Sequence, residues 1–387
     1  MIDIDAVRAD TPACSELIHF NNAGSSLPPR PVVEAVKAHI DLEAAMGGYE
    51  AAAHAADREY DFYRAAATML GCDPSEIAFT VSASDAWWRA FCAVPLKAGE
   101  RILTGRSEYV ANALGLLQAK ARGVEVVLIP DDEDGQIDLD ALAAELSQGA
   151  AMVALTHVPT SSGLVNPASE VGALAKQAGA WFLLDACQSA GQLPLDVNEL
   201  QCDFLSLTGR KFLRGPRGTG LLFVRSEGLE RLDPTPFLDG RSADWTSPWE
   251  YRLHTSAQRF ELFEVSYAAK HGLGVAIDYA LELGLDAIAA RVGALADRLR
   301  AGLDGIEGVT VRDLGRRRCG IVTFTVDDRT AADIAAHLRA HDVNVTFGTT
   351  SAAQFDLGLR GLPEVVRASV HYFNTNEEVD RVLDLLA

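Results

Sequence analysis

The sequence predicts an α/β protein of two domains: a large one with a mainly parallel sheet between helices, and a smaller α+β domain at the C-terminal end. Three observations lead there. Between residues 60 and 225, short apolar runs alternate with stretches of helical period, the pattern of strands joined by crossover helices. Beyond a loose segment, a long helical run leads into a β-α-β-like tail. The length of 387 residues exceeds what one compact core usually holds.

Taken in order, the predicted strands are Ile77–Thr80, Arg101–Thr104, Val124–Ile129, Ala151–His157, Trp181–Asp185, Phe204–Thr208 and Gly220–Val224. Helical periodicity fills the gaps, as at Tyr109–Arg122, Leu139–Leu146 and Glu170–Gly179. From Pro234 to Pro248 the pattern loosens into Pro, Gly, Asp and Trp, which reads as a connecting loop or domain edge. A single helical run spans Ser266–Leu303. The tail reads Gly320–Val326, Ala331–His341, Val343–Thr346, Val365–Tyr372 and a final helix. The expected division is 15–258 for the large domain and 259–387, with 1–14, for the small one. No internal repeat is visible.

Nearly half the residues are hydrophobic, which supplies a large core. A formal charge of −20 argues against nucleic acid or an anionic membrane as partner, since phosphate contact needs clustered Lys and Arg. No apolar run approaches membrane-spanning length. The start, Met1-Ile2-Asp3-Ile4-Asp5, lacks a signal-peptide pattern, so a cytoplasmic protein is expected. The six cysteines (Cys14, Cys72, Cys92, Cys187, Cys202, Cys319) form no Cys-x-x-Cys pair. They read as reduced, mostly buried thiols, and neither they nor the scattered His show metal-ligand spacing.

Chemistry concentrates in three segments. Leu205-Ser206-Leu207-Thr208-Gly209-Arg210-Lys211-Phe212 sets a lysine just after a strand, among small and hydroxyl residues, ahead of a Gly-rich run. Burial and nearby cations would favour its neutral, Schiff-base-forming amine. An ordinary surface lysine explains the segment equally well. Trp181–Gln188 is an apolar strand ending in Asp185. A buried strand-end acid needs a cation, such as a protonated pyridine nitrogen, or else caps the next turn. Val81-Ser82-Ala83-Ser84-Asp85-Ala86 follows a strand and opens a helix, which suits a phosphate or a plain N-cap.

In this order the three segments resemble the class V aminotransferase family, which includes cysteine desulfurases, cystine C–S lyases and isopenicillin N epimerase-like enzymes. The resemblance runs from Phe20-Asn21-Asn22-Ala23-Gly24 to Arg367-Ala368-Ser369-Val370-His371-Tyr372-Phe373-Asn374-Thr375. It implies fold type I of the transferases that depend on pyridoxal 5′-phosphate (PLP), with Lys211 carrying PLP and Asp185 facing its ring nitrogen. It further implies Gln188 at the phenolic oxygen, and Ala83, Ser84, Thr208 and Arg210 at the phosphate. Tyr109 takes the position of the ring-stacking His, and Thr160 that of an Asn beside the cofactor. Arg367, with Asn22 and Ala23, falls where the family binds the amino-acid substrate. Arg241 is a further candidate for a distal substrate group, or a surface arginine. A homodimer is implied too, and the aromatics Trp245, Trp249, Tyr251, Phe260 and Phe263 read as interface residues, or else as cover for the chain's own domain junction.

The departures narrow the reaction. Where desulfurases carry a nucleophilic Cys, the run Thr346–Ala353 offers Ser351, which cannot carry a persulfide. Cys319 heads an apolar strand and reads as core. Glu264 stands where relatives place a Thr near the partner's phosphate. Tyr109, Glu264 and Gly47-Gly48-Tyr49-Glu50 resemble ergothioneine-pathway sulfoxide lyases. The expected reaction is β-elimination at a C–S bond of a cysteine-derived amino acid, its S-conjugate or sulfoxide. The alternatives are an epimerase using Tyr109 as second base, an aminotransferase, and a non-catalytic binding protein of the same fold.

Overall fold

The computed structural model describes residues 2–387; Met1 lies outside the described residues, and Glu59 is described by its backbone alone. Seven strands form the large sheet: β1 (Ile77–Thr80), β2 (Arg101–Thr104), β3 (Glu125–Leu128), β4 (Met152–Thr156), β5 (Trp181–Asp185), β6 (Phe204–Thr208) and β7 (Gly220–Val224). Their order is β1-β7-β6-β5-β4-β2-β3. Only β7 runs against the others, pairing antiparallel with β1 and β6.

Side-chain alternation explains why these runs are apolar throughout. Leu183 and Phe204 enter the core on one face, while their neighbours Leu184 and Leu205 enter the core on the other. With helices on both faces, no strand position can be polar by default. Gly220 is required by close approach. A Cβ there would lie 2.6 Å from Leu207 O and 2.7 Å from the carbonyl carbon of Ser82. The glycine lets the start of helix Ala83–Ala93 press against the mouth of β7.

A four-stranded antiparallel sheet forms the second core: β10 (Val309–Val311), β11 (Ile321–Val326), β12 (Thr346–Thr349) and β13 (Glu364–Ser369), ordered β10-β11-β13-β12. The intervening labels β8 (Ala243–Ser247) and β9 (Glu250–Leu253) belong to a hairpin. Ile18–His19 pairs in parallel with Val343–Asn344, which ties the N-terminal segment to the small domain.

Four readings of the sequence change. The helical run from Ser266 is two helices, Tyr267–Leu283 and Leu285–Asp304, because Gly284 between them takes a φ of 84°. The first of these belongs to both cores: Leu273 and Ile277 pack in the large one and Ala280 in the small one. We therefore set the handover between domains inside this helix, later than residue 259. The loose Pro234–Pro248 segment contains β8 of the hairpin. Phe260 is not a surface aromatic but fully buried against β1 and β7.

Candidate active site

The candidate residues converge because each follows the carboxyl end of a strand, the edge where open α/β sheets bind ligands. Ser82–Ser84 follow β1, Tyr109 follows β2, Thr160 follows β4, Asp185 closes β5, and Thr208 closes β6 with Lys211 three residues on.

Lys211 is buried, and its Nζ donates to Cys187 Sγ at 3.2 Å. The amine also lies 5.9 Å from the centre of the Tyr109 ring. Burial lowers its pKa, and the charges of Arg210 and Arg367 lower it further, against opposition from Cys187 and Asp185. The neutral, nucleophilic amine is thereby favoured. From the small domain, His371 donates through Nε2 to Phe212 O at 2.9 Å and accepts from Tyr372 N on Nδ1. Burial keeps that imidazole neutral. The loop carrying Lys211 is thus held from both domains.

Asp185 is buried, and its two oxygens accept from different donors. Cys187 N reaches Oδ1 at 2.8 Å, and Asn112 Nδ2 reaches Oδ2 at 2.8 Å. Burial raises the Asp185 pKa. Among the described residues no Lys or Arg forms an ion pair with it. A buried carboxylate fixed by two donors yet lacking a cation is suited to receive one. The second hydrogen of Asn112 Nδ2 goes to Glu108 Oε2 at 3.2 Å. Glu108 also accepts from Thr156 N at 2.8 Å and Thr156 Oγ1 at 3.0 Å. Burial, then the Asp185 charge, raises the Glu108 pKa to about 7.

On the other side of Lys211 lies the turn Asn21–Gly24. Gln188 Nε2 donates to Ala23 O and to Thr160 Oγ1, both at 3.2 Å. Arg367 donates to Thr160 Oγ1 and, at 3.5 Å, to Asn21 Oδ1. Thr160 therefore links the arginine to the glutamine. Beyond the end of β1, Ser82 caps helix Ala83–Ala93 by accepting from Asp85 N at 3.1 Å. The N–H groups of Ala83 and Ser84 point out of the helix start, where an anion is favoured. The Thr208 hydroxyl donates to Thr219 O at 3.0 Å.

Two substrate assignments change. Asn22 uses both amide hydrogens on His19 O and Ser369 O, and its oxygen accepts from Ser26 Oγ. That fully engaged side chain belongs to the fold, and its neighbour Asn21 is the one facing Arg367. Arg241 sits in a separate buried cluster, donating to Glu261 Oε2 at 3.2 Å and Tyr63 Oη at 3.3 Å. Glu261 in turn accepts from Phe79 N on β1, so this cluster braces the sheet edge. Ser351 is exposed in the loop after β12, and Cys319 is fully buried. Glu264 is exposed and makes no ion pair among the described residues.

Sequence reasoning missed Glu108, Asn112, Asn21 and the Cys187 contact. No periodic signal marked Glu108, which precedes the N-cap Tyr109 of helix Val110–Ala121 and so shares no helical face with Asn112.

The donor set fits PLP. The Gln188 Oε1 atom is buried without a hydrogen-bond partner, Lys211 offers an amine held neutral by burial, and Asp185 a carboxylate without a cation. Comparison with known proteins agrees. A family profile described as aminotransferase class V matches residues 18–382. A probable cysteine desulfurase of Pyrococcus abyssi is 31% identical over 98% of this chain and 96% of its own. The apo structure of a cysteine desulfurase from Thermococcus onnurineus NA1 superposes with a TM-score of 0.91 at 30% identity, covering 100% of this chain and 97% of that one. A cystine C–S lyase, solved with its reaction product cysteine persulfide, shares the fold. Its TM-score is 0.87 at 24% identity, covering 97% of this chain and 98% of that one.

Proposed function

Because the chain belongs to the class V aminotransferase family, whose cofactor is PLP, we propose that it is a lyase that cleaves the C–S bond of a cysteine-derived amino acid by β-elimination. The substrate in this reading is an S-conjugate or sulfoxide of cysteine, and no enzyme thiol carries sulfur. When bound, PLP supplies an electron sink that makes the substrate's α-proton acidic.

The chain's own groups divide the remaining work. Lys211 holds the cofactor through Nζ, and its lowered pKa suits the same atom to accept the α-proton once released. Asp185, fixed by Asn112 and Cys187 N, holds negative charge at the ring nitrogen. The amides of Ala83 and Ser84 receive the phosphate. Tyr109 covers the ring, and Arg367 takes the α-carboxylate through its planar fork. The sulfur group leaves from the β-carbon as a thiol, or as a sulfenic acid when the substrate is a sulfoxide, and addition of water to the remaining fragment gives pyruvate and ammonia.

The observation that carries this reading is Ser351. The acid, amine and arginine are assembled, yet the exposed loop after β12 offers a hydroxyl where persulfide chemistry needs a thiolate. One observation favours a desulfurase instead: Cys187 Sγ lies 3.2 Å from Lys211 Nζ. Burial raises the pKa of that thiol, which weighs against its use as a nucleophile. The test is to incubate the PLP-loaded enzyme with cysteine, S-alkylcysteines and their sulfoxides. Pyruvate as product, with intact-protein mass unchanged, supports elimination. Alanine as product, with one extra sulfur on a cysteine peptide, overturns it.

A further inference from the structure

Asp185 has a second acid beside it. Asp185 and Glu108 are both buried, and the two hydrogens of one amide, Asn112 Nδ2, join them. Thr156 fixes Glu108 through its N–H and its hydroxyl, and it ends β4 in register with Asp185 on β5. Among the described residues no Lys or Arg forms an ion pair with either acid. The cofactor brings one cation to this place, at its ring nitrogen. A second buried charge without a partner is costly, so one acid of the two stays neutral.

The hydrogen bonds decide which. A protonated carboxyl group donates, so it needs an acceptor. Asp185 meets only N–H groups, those of Asn112 and Cys187, and neither nitrogen can accept. Glu108 meets the Thr156 hydroxyl at 3.0 Å, and a hydroxyl oxygen accepts as well as donates.

The other titratable neighbours leave this unchanged. Burial favours the neutral forms of Cys187, Lys211 and His157. Arg106 and Asp131 border the gap beside Glu108 and face each other at 3.8 Å. Burial raises the pKa of both Glu108 and Asp185 in the cofactor-free chain. A ring cation received at Asp185 is what separates them.

Resting on the reading that Asp185 faces the ring nitrogen, we propose that Glu108 is a positioning residue: in the loaded enzyme it keeps a proton directed at Thr156 Oγ1 and so leaves the pair's single negative charge on Asp185. An ionised Glu108 would make Asp185 a stronger base and draw the proton off the ring nitrogen, which weakens the electron sink.

The test is infrared spectroscopy of PLP-loaded protein in which glutamate alone carries a heavy-carbon carboxyl group, wild type against Glu108→Gln. At about pH 6 the wild type is expected to show a protonated-carboxyl band that the label shifts and that Glu108→Gln lacks. The subtraction sets aside Asp131, whose pKa burial raises to about 6. The ratio of Glu108→Gln to wild-type pyruvate formation should rise by up to about tenfold between pH 6 and pH 8. A purely structural defect would leave that ratio flat, which overturns the positioning role. A difference band that the label does not shift puts the proton on an aspartate and overturns the proposal. So does the absence of any difference band, which leaves Glu108 ionised. Should Glu108→Gln fail to fold, the labelled wild type decides alone: no label-shifted band at about pH 6 overturns the proposal. If no cysteine derivative yields pyruvate, the lyase reading falls while the band still locates the proton.

Discussion

The Asn112 side chain joins two buried carboxylates, donating to Asp185 Oδ2 at 2.8 Å and to Glu108 Oε2 at 3.2 Å. Asp185 owes its orientation to this amide on one oxygen and to Cys187 N on the other. Asp185→Ala should still bind PLP through Lys211 and the phosphate site but lose most turnover, because an unprotonated ring nitrogen is a poor electron sink. Asn112→Ala should lose less, on the order of tenfold or more, the worth of one hydrogen bond to a charged group. Its pH–rate profile should shift, whereas a merely structural defect would lower the whole curve. Near-wild-type turnover in Asp185→Ala would remove that residue from the mechanism.

Glu108 makes a prediction about stability. Burial, then Asp185, raises its folded pKa from 4.5 to about 7. The native chain therefore holds this proton more tightly than the unfolded chain between those values, and stability falls as pH rises through the window. The loss is complete above about 7 and amounts to at most roughly 3 kcal/mol. Burial raises Asp185 as well, so its contribution has the same sign. The melting temperature of cofactor-free protein should fall from pH 5 to pH 8, and less steeply in Glu108→Gln. Identical slopes would show that Glu108 does not titrate there.

Lys211 should be the one lysine labelled when the PLP-loaded protein is reduced with borohydride and mapped by peptide. Lys211→Ala should lack the visible absorbance of the bound cofactor and should not turn over. A label on any other lysine refutes the assignment.

Single replacement of any cysteine should leave elimination largely intact. Cys319, fully buried with its pKa pushed up to about 11 by burial, is the plainest case. Cys187 is the sharper one, because its Sγ accepts from Lys211 Nζ. Cys187→Ser keeps an acceptor there, so a modest change in rate is expected. Abolished turnover in a folded Cys187→Ser protein, with a persulfide on Cys187 in the wild type, would restore the desulfurase reading.

The protein should be a homodimer. Trp249 is 96% exposed and Trp245 81% on the β8–β9 hairpin, and exposed Tyr49 meets Phe263 nearby. Large aromatics clustered in solvent mark an interface more often than a free surface. Sedimentation of the PLP-loaded protein should give twice the chain mass, and a Trp245→Ser/Trp249→Ser pair should move it toward monomer. A fully active monomer at assay dilution would exclude a shared site.

How much of this was legible beforehand follows from the range of the forces involved. The seven strands were readable to within one residue because burial on both faces demands continuous apolar runs, and such runs are local in sequence. Lys211, Asp185 and Arg367 stood out as candidates because their segments carry a pattern that a family shares. The split at Gly284 was misread because a glycine inside an apolar period looks tolerable until its φ is known.

The sequence by itself determined the α/β layering, the strand that ends at Asp185 and the strand that precedes Lys211. Only the tertiary structure decided which polar groups meet. It joined Asn112 to Asp185 across 73 residues, and Arg367 to Asn21 across 346. It also engaged Asn22 with the fold and moved Arg241 into the Glu261 cluster. The physical reason is that apolar burial is set by each residue's own side chain and period, whereas a hydrogen bond or an uncompensated charge is a property of two groups. Their distance is fixed only when the whole chain has packed.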